Sequence, residues 1–250
     1  MHLPEDIRVL GTSSKSLDEA KVLDTENPSR LPDYETYDYA VEWRDKAIED
    51  SAEKAIIRGW LSQGDSALEL GGGYGRMTRV LRPYFKRLTM VDGSRFNLNR
   101  ARKAVPGAEL VRADLTRLPF RDNEFEVIVT IRTIHHIQDL RGIFGEIRRV
   151  AKPRATLIMS VPNTALSPFR WVKENELVQV SAKGHRIFAA PLISYTSAFG
   201  LQSARGTGMF ENFLGRKLNG LGFLHILDVV TAPLWRLKPN LFLKFQIDKN

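Results

Sequence analysis

The stretch from Ala67 to Gly75 restricts the possible folds of this chain more than any other. A short apolar run leads to Glu69 and then to four glycines, and the residues after Gly75 are typical of a helix. A chain that leaves a strand, turns sharply and enters a helix without side chains in the way can place its backbone against a ligand. The sequence therefore predicts a strand, a ligand-binding turn and a helix in succession.

Two phosphate-binding motifs do not fit this turn. A P-loop requires Lys followed by Ser or Thr after its last glycine, and the chain has Arg76 and Met77 there. The dinucleotide motif requires its third glycine at the position of Arg76. Glu69 would repel a pyrophosphate, whereas a ligand with an ammonium and a sulfonium group prefers a nearby carboxylate. The turn thus favours S-adenosylmethionine over a nucleotide phosphate.

Further apolar runs follow the turn. Between them lie helical stretches at about 76–84, 94–104 and 139–151. Strands that alternate with helices predict a parallel, doubly wound sheet with its ligand at the carboxyl ends of the strands. The predicted strands after the first are 88–92, 109–114, 125–131, 155–161, about 201–206 and 241–247.

Three of the predicted strands end in an acid. Glu69 closes the first, Asp92 lies 21 residues after Gly71, and Asp114 closes the third. A carboxylate at the tip of the second strand is suitably placed to accept hydrogen bonds from a ribose diol. Because the carboxyl ends of parallel strands share one edge of the sheet, these three acids predict a single site.

These motifs together resemble the class I S-adenosylmethionine-dependent methyltransferases, in particular the type 11 group that includes ubiquinone- and menaquinone-biosynthesis enzymes. The resemblance covers about residues 60–162. It implies that Glu69 and the glycine backbone hold the methionyl part, that Asp92 binds the ribose, and that Asp114 binds the adenine amino group. It also implies a backbone contact from Thr130 to the methionyl ammonium. The residues expected to bind the cofactor are Glu69, Gly71, Gly72, Gly73, Gly75, Asp92, Gly93, Asp114, Leu115 and Thr130.

The same resemblance implies an α/β, Rossmann-like, doubly wound and mostly parallel sheet of seven strands, with helices on both faces and the last strand antiparallel. We expect residues 1–60 to form an N-terminal arm and a cap helix at about 40–60, and residues 61–250 to form the methyltransferase domain. Two inserts are expected within that domain, at about 163–193 and at about 208–239, the second being a C-terminal helical insertion. The second insert is apolar nearly all round, which favours burial in a lid, in a homodimer interface or against a lipid surface.

The chemistry of methyl transfer requires little of the side chains. His135 and His136 follow the fourth strand at the expected pocket rim, and either is a candidate base or a residue that only shapes the loop. Arg132 is a candidate contact for an anionic substrate. The remaining histidines are scattered, so no metal site is predicted.

Composition excludes several classes of protein. The chain has 250 residues, is 43% hydrophobic and 26% charged, and contains no cysteine, so disulfides and thiolate chemistry are excluded. Neither a secretory signal nor a span of about 20 apolar residues is visible, so we expect a cytoplasmic protein without a transmembrane segment.

The net charge is +8, and residues 76–103 contain nine Lys or Arg against the single acid Asp92. A solvated basic face explains this without any partner, although an RNA, a nucleotide-linked substrate or an anionic membrane would also fit. The fourth strand ends in Thr130-Ile-Arg-Thr133 and lacks the Asn/Asp-Pro-Pro-Tyr/Phe pattern that is typical of methyltransferases acting on adenine amines. We therefore favour methyl transfer to O, N or C of a small-molecule acceptor, or of a lipid-like one because of the apolar second insert. RNA or protein methylation, and a cofactor-binding protein without catalysis, stay as alternatives. Nucleic acid is possible but not favoured, and peripheral membrane contact and a homodimer remain possible.

Overall fold

The computed structural model describes residues 22–24, 39–44, 46–137, 139–162, 196, 199–207 and 240–249. The two predicted inserts at about 163–193 and 208–239 lie outside the described residues, as does most of the N-terminal arm. The division of the chain into an arm, a cap and a domain therefore stays a prediction.

One mixed sheet forms the centre of the described structure, in the order β1-β4-β3-β2-β5-β6-β8-β7. Its strands are β1 (Val22–Asp24), β2 (Gly64–Leu70), β3 (Phe85–Asp92), β4 (Glu109–Arg112), β5 (Phe125–Thr130), β6 (Ala151–Pro162), β7 (Phe199–Thr207) and β8 (Asn240–Ile247).

Four α-helices and three short 3-10 helices accompany the sheet in the described ranges. The α-helices are α1 (Ala47–Trp60), α2 (Thr78–Leu81), α3 (Arg95–Ala104) and α4 (Leu140–Val150). The 3-10 helices are Tyr39–Trp43, Arg82–Tyr84 and Ile134–His136.

The order of the strands creates a crevice beside β2. The chain proceeds from β2 through β3 to β4 on one side, and from β5 to β6 on the other. Leu68 pairs in parallel with Thr89 of β3 and with Ile128 of β5. Ligands of open α/β sheets bind at the carboxyl end of such a switch point, so the topology places a site after β2.

The last strand runs against its neighbours. β8 is antiparallel to both β6 and β7. Strands β2 to β8 are the seven strands that the sequence predicted, so the predicted fold class is confirmed. The three-residue strand β1 extends the sheet beyond that prediction, because Val22–Asp24 pairs in parallel with β4.

Apolar residues cover both faces of the sheet. Successive residues of a strand point to opposite faces, and accordingly Leu68 and Leu70 belong to one core cluster while Ala67 belongs to the other. The first cluster packs against α4, and the second packs against α1 and α3. Helix residues in the first are Ile143, Phe144, Ile147 and Val150, and those in the second include Ile57, Leu98 and Ala101.

Two predicted helices differ from the observed ones. The helix expected at about 40–60 is divided into the 3-10 helix Tyr39–Trp43 and α1, with Arg44 in a turn between them. The helix expected after the glycine turn is only four residues of α2 followed by the 3-10 helix Arg82–Tyr84. Pro83 at the start of that 3-10 helix has no N–H to donate to an α-helical bond.

Candidate functional site

A cavity of about 230 Å³ lies at the carboxyl ends of β2, β3, β4 and β5. Three acids predicted to share one rim, Glu69, Asp92 and Asp114, all line it. Eight of the ten residues expected to bind the cofactor line this cavity: Glu69, Gly71, Gly72, Gly73, Asp92, Gly93, Asp114 and Leu115.

The glycine turn is anchored to the neighbouring strand. The N–H of Gly71 donates to the carbonyl of Val91 at 2.7 Å. Gly71 and Gly73 have φ angles of 71° and 57°, a region that L residues with a Cβ rarely adopt. A Cβ on Gly73 would meet no atom within 4 Å, so the bare backbone at this position faces open space in the cavity wall.

Asp92 fixes the shape of the rim through both carboxylate oxygens. Its Oδ2 accepts a hydrogen bond from the N–H of Gly73 at 2.8 Å, and its Oδ1 accepts one from the N–H of Ser94 at 2.8 Å. Ser94 in turn caps α3 by accepting from the N–H of Asn97. One carboxylate therefore links the glycine turn to the start of the next helix.

Asp114 is held by its own turn. Its Oδ1 accepts from the backbone N–H of Thr116 at 2.8 Å and from the hydroxyl of Thr116 at 2.7 Å. Leu115 beside it is 8% exposed. The pair presents one oriented carboxylate and one apolar side chain to the cavity, an arrangement suited to the polar edge and the flat face of a base.

Glu69 has the most unusual environment in the cavity. Its side chain is 3% exposed, and its Oε2 has no hydrogen-bond partner within the described ranges. Burial raises the pKa of Glu69 to about 7, against partial compensation from Thr78 and Arg76. A buried acceptor without a donor calls for explanation. An ammonium group in the cavity would both satisfy the oxygen and stabilise the ionised carboxylate.

Gly75 and Thr130 do not line the cavity. Gly75 has a φ angle of 87°, and a Cβ there would approach Cγ2 of Val105 to 2.6 Å, so this glycine permits close packing against α3. Thr130 is fully buried at the end of β5. Its successors Ile131 and Arg132 line the cavity instead. The individual roles assigned to the ten residues stay predictions.

The two histidines lie at the cavity wall, as their sequence position suggested. His135 and His136 line the cavity, and their ring centroids are 4.0 Å apart. Burial and the neighbouring charges of His136 and Arg132 lower the pKa of His135 to about 3. Its Nδ1 is buried and has no hydrogen-bond partner within the described part of the chain. His135 is therefore neutral at physiological pH and a weak base, and a role in orienting a hydroxyl suits it better than proton abstraction.

Arg132 lines the cavity, but its guanidinium is engaged by the cap helix. Its Nε donates to Glu53 at 2.8 Å, and its Nη2 forms ion pairs with Glu53 and Glu49. Its φ angle of 57° is in the left-handed region, and its N–H is held by the hydroxyl of Ser160 at 2.9 Å. These contacts help to position α1. The contact of Arg132 with an anionic substrate stays a prediction.

Sequence reasoning missed a cluster that ties α1 to the cavity. Trp43 lines the cavity, with the guanidinium of Arg76 3.5 Å from its ring centroid and that of Arg132 5.0 Å away. Nη2 of Arg76 donates to Glu53 at 2.6 Å, and its Nη1 donates to Asp50 at 2.8 Å. We call these residues, Trp43, Asp50, Glu53, Arg76 and Arg132, the cap cluster.

Only one sequence signal pointed toward the cap cluster. Glu49 and Glu53 are four residues apart and so share a face of α1. An acidic stripe on a helix is ordinarily solvated, and nothing local reveals that both arginines meet it. Within the described ranges, no group of three or more His, Asp or Glu could hold a metal ion, and no helix is long and apolar enough to span a bilayer.

Comparison with known proteins identifies the central part of the chain. Residues 68–159 match a family model described as a methyltransferase domain. Phthiotriol/phenolphthiotriol dimycocerosates methyltransferase of Mycobacterium tuberculosis is 31% identical over 83 residues, which are 33% of this chain and 31% of that protein. Cycloartenol-C-24-methyltransferase of Arabidopsis thaliana is 23% identical over 130 residues, covering 48% of this chain and 39% of that protein.

The fold also matches solved structures. An S-adenosylmethionine-dependent methyltransferase of Mesorhizobium loti is similar with a TM-score of 0.59 at 19% identity, over 80% of this chain and 100% of the other. The chain spans less than half the length of the curated relatives it matches. The match to the family model covers the part that carries the glycine turn and the three acids.

Proposed function

We propose, from the premise that residues 68–159 belong to the class I S-adenosylmethionine-dependent methyltransferases, that this chain transfers a methyl group to a small-molecule or lipid-like acceptor. The observation that carries the proposal is the convergence of Glu69, Asp92 and Asp114 around one cavity, with the bare backbone of Gly73 between the first two. A cationic ligand with a diol and a purine amine matches this set of acceptors.

Each group of the cofactor has a candidate partner. The unpartnered oxygen of Glu69 suits the methionyl ammonium, and Asp92 suits the ribose hydroxyls. Asp114 suits the adenine amino group, with Leu115 against the ring. S-adenosylmethionine supplies a methyl group on a sulfonium, which is already a good leaving group. The protein has only to align an acceptor and exclude water, and such positioning contributes about 7–11 kcal/mol.

Residues at the other wall act on the acceptor. Ile131 is 8% exposed and supplies an apolar surface that excludes water from the cavity. His135, being neutral, orients a hydroxyl or amine of the acceptor through its unpartnered ring nitrogen. His136, beside it in the same wall, is the candidate to take a proton if the acceptor must lose one, because the low pKa of His135 makes that residue a weak base.

The lipid-like part of the proposal is supported by the relatives. The names of two matched proteins specify a phthiotriol dimycocerosate and cycloartenol as their substrates, and the apolar residues at 208–239 favour contact with an apolar molecule. Incubation with S-adenosylmethionine labelled in the methyl group and fractionated cell extract tests this. We expect label in the lipid or small-molecule fraction, and label only in RNA or protein would contradict the acceptor class.

Gly73→Arg is expected to abolish binding of S-adenosylhomocysteine, the demethylated product, while the fold survives. A side chain at this position enters the cavity, and the φ angle of 57° adds a cost of about 1–2 kcal/mol. Gly59→Arg is the matched control, because a Cβ at Gly59 also meets no atom within 4 Å but lies on α1 outside the cavity.

Titration calorimetry measures the affinity and thermal unfolding confirms the fold of both variants. Asp92→Ala is expected to weaken binding at least about tenfold, since hydrogen bonds to a charged group contribute about 1.5–3 kcal/mol. Unchanged affinity in Gly73→Arg would contradict the assignment of the cavity.

A further inference from the structure

A second cleft adjoins the cofactor cavity and has a different character. Its volume is about 320 Å³, and it lies between α1 and the segment that follows the glycine turn. Trp43, Tyr74 and Arg76 line both spaces. The two spaces therefore share part of one wall.

Positive charge dominates this cleft. Four cationic side chains line it, Lys54 and Arg58 from α1 and Arg76 and Arg79 from the opposite wall. Asp50 is the single carboxylate among the lining residues, so their net charge is +3. Cations that approach from two sides suit an anion with more than one charge, and a guanidinium matches a phosphate through paired hydrogen bonds.

The cations are not all neutralised by their neighbours. Asp50 is shared between Lys54 and Arg76, and Arg76 also pairs with the buried Glu53, so the charges left over belong mainly to Arg58 and Arg79. The Nε of Arg79 donates to the carbonyl of Gly75 at 3.3 Å, which leaves its charge without a carboxylate in that contact. Arg58 lies on the exposed side of α1, with no carboxylate within ion-pair distance in the described ranges.

From this geometry we infer that the cleft between α1 and the glycine turn binds a phosphate or diphosphate group of the methyl acceptor. The inference rests on the proposed function and adds to it the chemical class of the substrate: an acceptor whose reactive part enters the cofactor cavity while its phosphate lies in the adjoining cleft between Arg58 and Arg79, beside Lys54. The positively charged cleft then selects for phosphorylated acceptors and aligns them. The cofactor cavity does not need these positive charges to bind S-adenosylmethionine.

Inorganic pyrophosphate is the probe for the cleft, measured by titration calorimetry on the full chain. We expect binding that weakens with added salt, because charges at a surface are screened. Arg58→Gln is expected to reduce the affinity about tenfold. Arg102→Gln is the matched control, since it removes the same charge from the exposed face of α3, outside both clefts, and it should leave pyrophosphate affinity unchanged.

Saturation with S-adenosylhomocysteine separates the acceptor from the cofactor as the source of the anion. Pyrophosphate that binds equally well with and without S-adenosylhomocysteine supports the inference. Pyrophosphate excluded by S-adenosylhomocysteine would overturn it, because the cleft would then hold the carboxylate of the cofactor. Absence of pyrophosphate binding, or equal losses in Arg58→Gln and Arg102→Gln, would overturn it as well.

A second measurement distinguishes this inference from the proposed function. Extract fractions that accept label are treated with phosphatase before incubation with labelled S-adenosylmethionine. Loss of labelling supports a phosphorylated acceptor, whereas labelling that survives contradicts the inference and leaves methyl transfer established. Failure of S-adenosylhomocysteine to bind the unaltered chain would instead contradict the proposed function itself.

Discussion

Glu53→Ala is expected to lower the free energy of unfolding by about 3–5 kcal/mol, the range observed when one partner of a buried ion pair is removed. Glu53 is fully buried, and its oxygens accept from Arg132 at 2.8 Å and from Arg76 at 2.6 Å. Truncation leaves both guanidiniums with part of their charge uncompensated in a site largely shielded from water. Urea unfolding of the two proteins measures the difference.

The large loss in stability is expected because the ion pairs of Glu53 are buried. Loss of a solvent-exposed ion pair should have little effect. Arg76 keeps Asp50 and Arg132 keeps Glu49 after the change, so the fold is expected to persist. Asp65→Asn is the matched control, because Asp65 forms its ion pair with Lys86 in full contact with solvent. We expect no measurable change there, since exposed pairs contribute little.

Glu53→Gln separates charge from hydrogen bonding. The amide retains one acceptor oxygen for the guanidiniums but no charge, so its stability should lie between those of the parent and Glu53→Ala. A loss of less than about 1 kcal/mol in Glu53→Ala would contradict the view that the cap cluster fastens α1 to the sheet, since neutral surface substitutions fall in that range.

Glu53→Ala is also expected to affect the cofactor cavity. Trp43 lines the cavity and lies against the guanidiniums of Arg76 and Arg132. Both arginines are held in part by Glu53. We therefore expect Glu53→Ala to weaken binding of S-adenosylhomocysteine even though Glu53 itself does not line the cavity. The effect links the stability of the cap to the shape of the site.

The rim of acids was predictable because its signal is local. Each of Glu69, Asp92 and Asp114 follows directly on its own apolar run, and the parallel topology brings the ends of adjacent strands together. Alternation of buried strands with helices fixed the fold class in the same way. No contact between distant residues had to be known.

The cap cluster was not predictable because its contacts are distant in sequence. Glu53 bonds Arg76 across 23 residues and Arg132 across 79, and no local pattern distinguishes a buried carboxylate on a helix from a solvated one. The break of the helix after Trp43 has the same origin. The 3-10 segment ends at Trp43, the residue that packs against Arg76, and tertiary contacts of this kind override helix propensity.

The edge strand β1 illustrates a further limit. Val22–Asp24 is three residues long and carries no alternation or turn signal. Its position follows from the free edge of β4, to which it adds a parallel ladder. An unpaired edge accepts almost any extended segment. The partner is therefore determined by the sheet and not by the sequence of the segment.

At high pH, Glu69→Gln is expected to be more stable than at low pH relative to the parent, and to bind the cofactor more weakly than the parent. The pKa of Glu69 is about 7 in the folded chain because of burial, against an ordinary value of 4.5. Between these values the folded state holds a proton that the unfolded state has released. The free energy of unfolding of the parent therefore falls by about 3 kcal/mol as pH rises from 4.5 to 7. Above pH 7 this contribution is constant.

Glutamine removes this dependence. The difference in free energy of unfolding between Glu69→Gln and the parent should move in favour of the variant by about 2–3 kcal/mol from pH 5 to pH 8. Glu126→Gln is the control, since Lys152 at 2.9 Å holds the pKa of Glu126 below its ordinary value. Its difference from the parent should stay constant above pH 5. Denaturant unfolding at a series of pH values measures both.

Binding changes in the other sense. In the proposed function, ionised Glu69 attracts the ammonium of S-adenosylhomocysteine, so the affinity of the parent should rise with pH up to about 7 and then level off. Glu69→Gln should bind at least about tenfold more weakly at pH 8, with little dependence on pH, because a charged hydrogen bond is replaced by a neutral one. A variant that gains stability with rising pH yet keeps parental affinity would show that the buried carboxylate serves something other than the methyl donor. In the proposed function, the bound ammonium offsets the cost of burying this carboxylate.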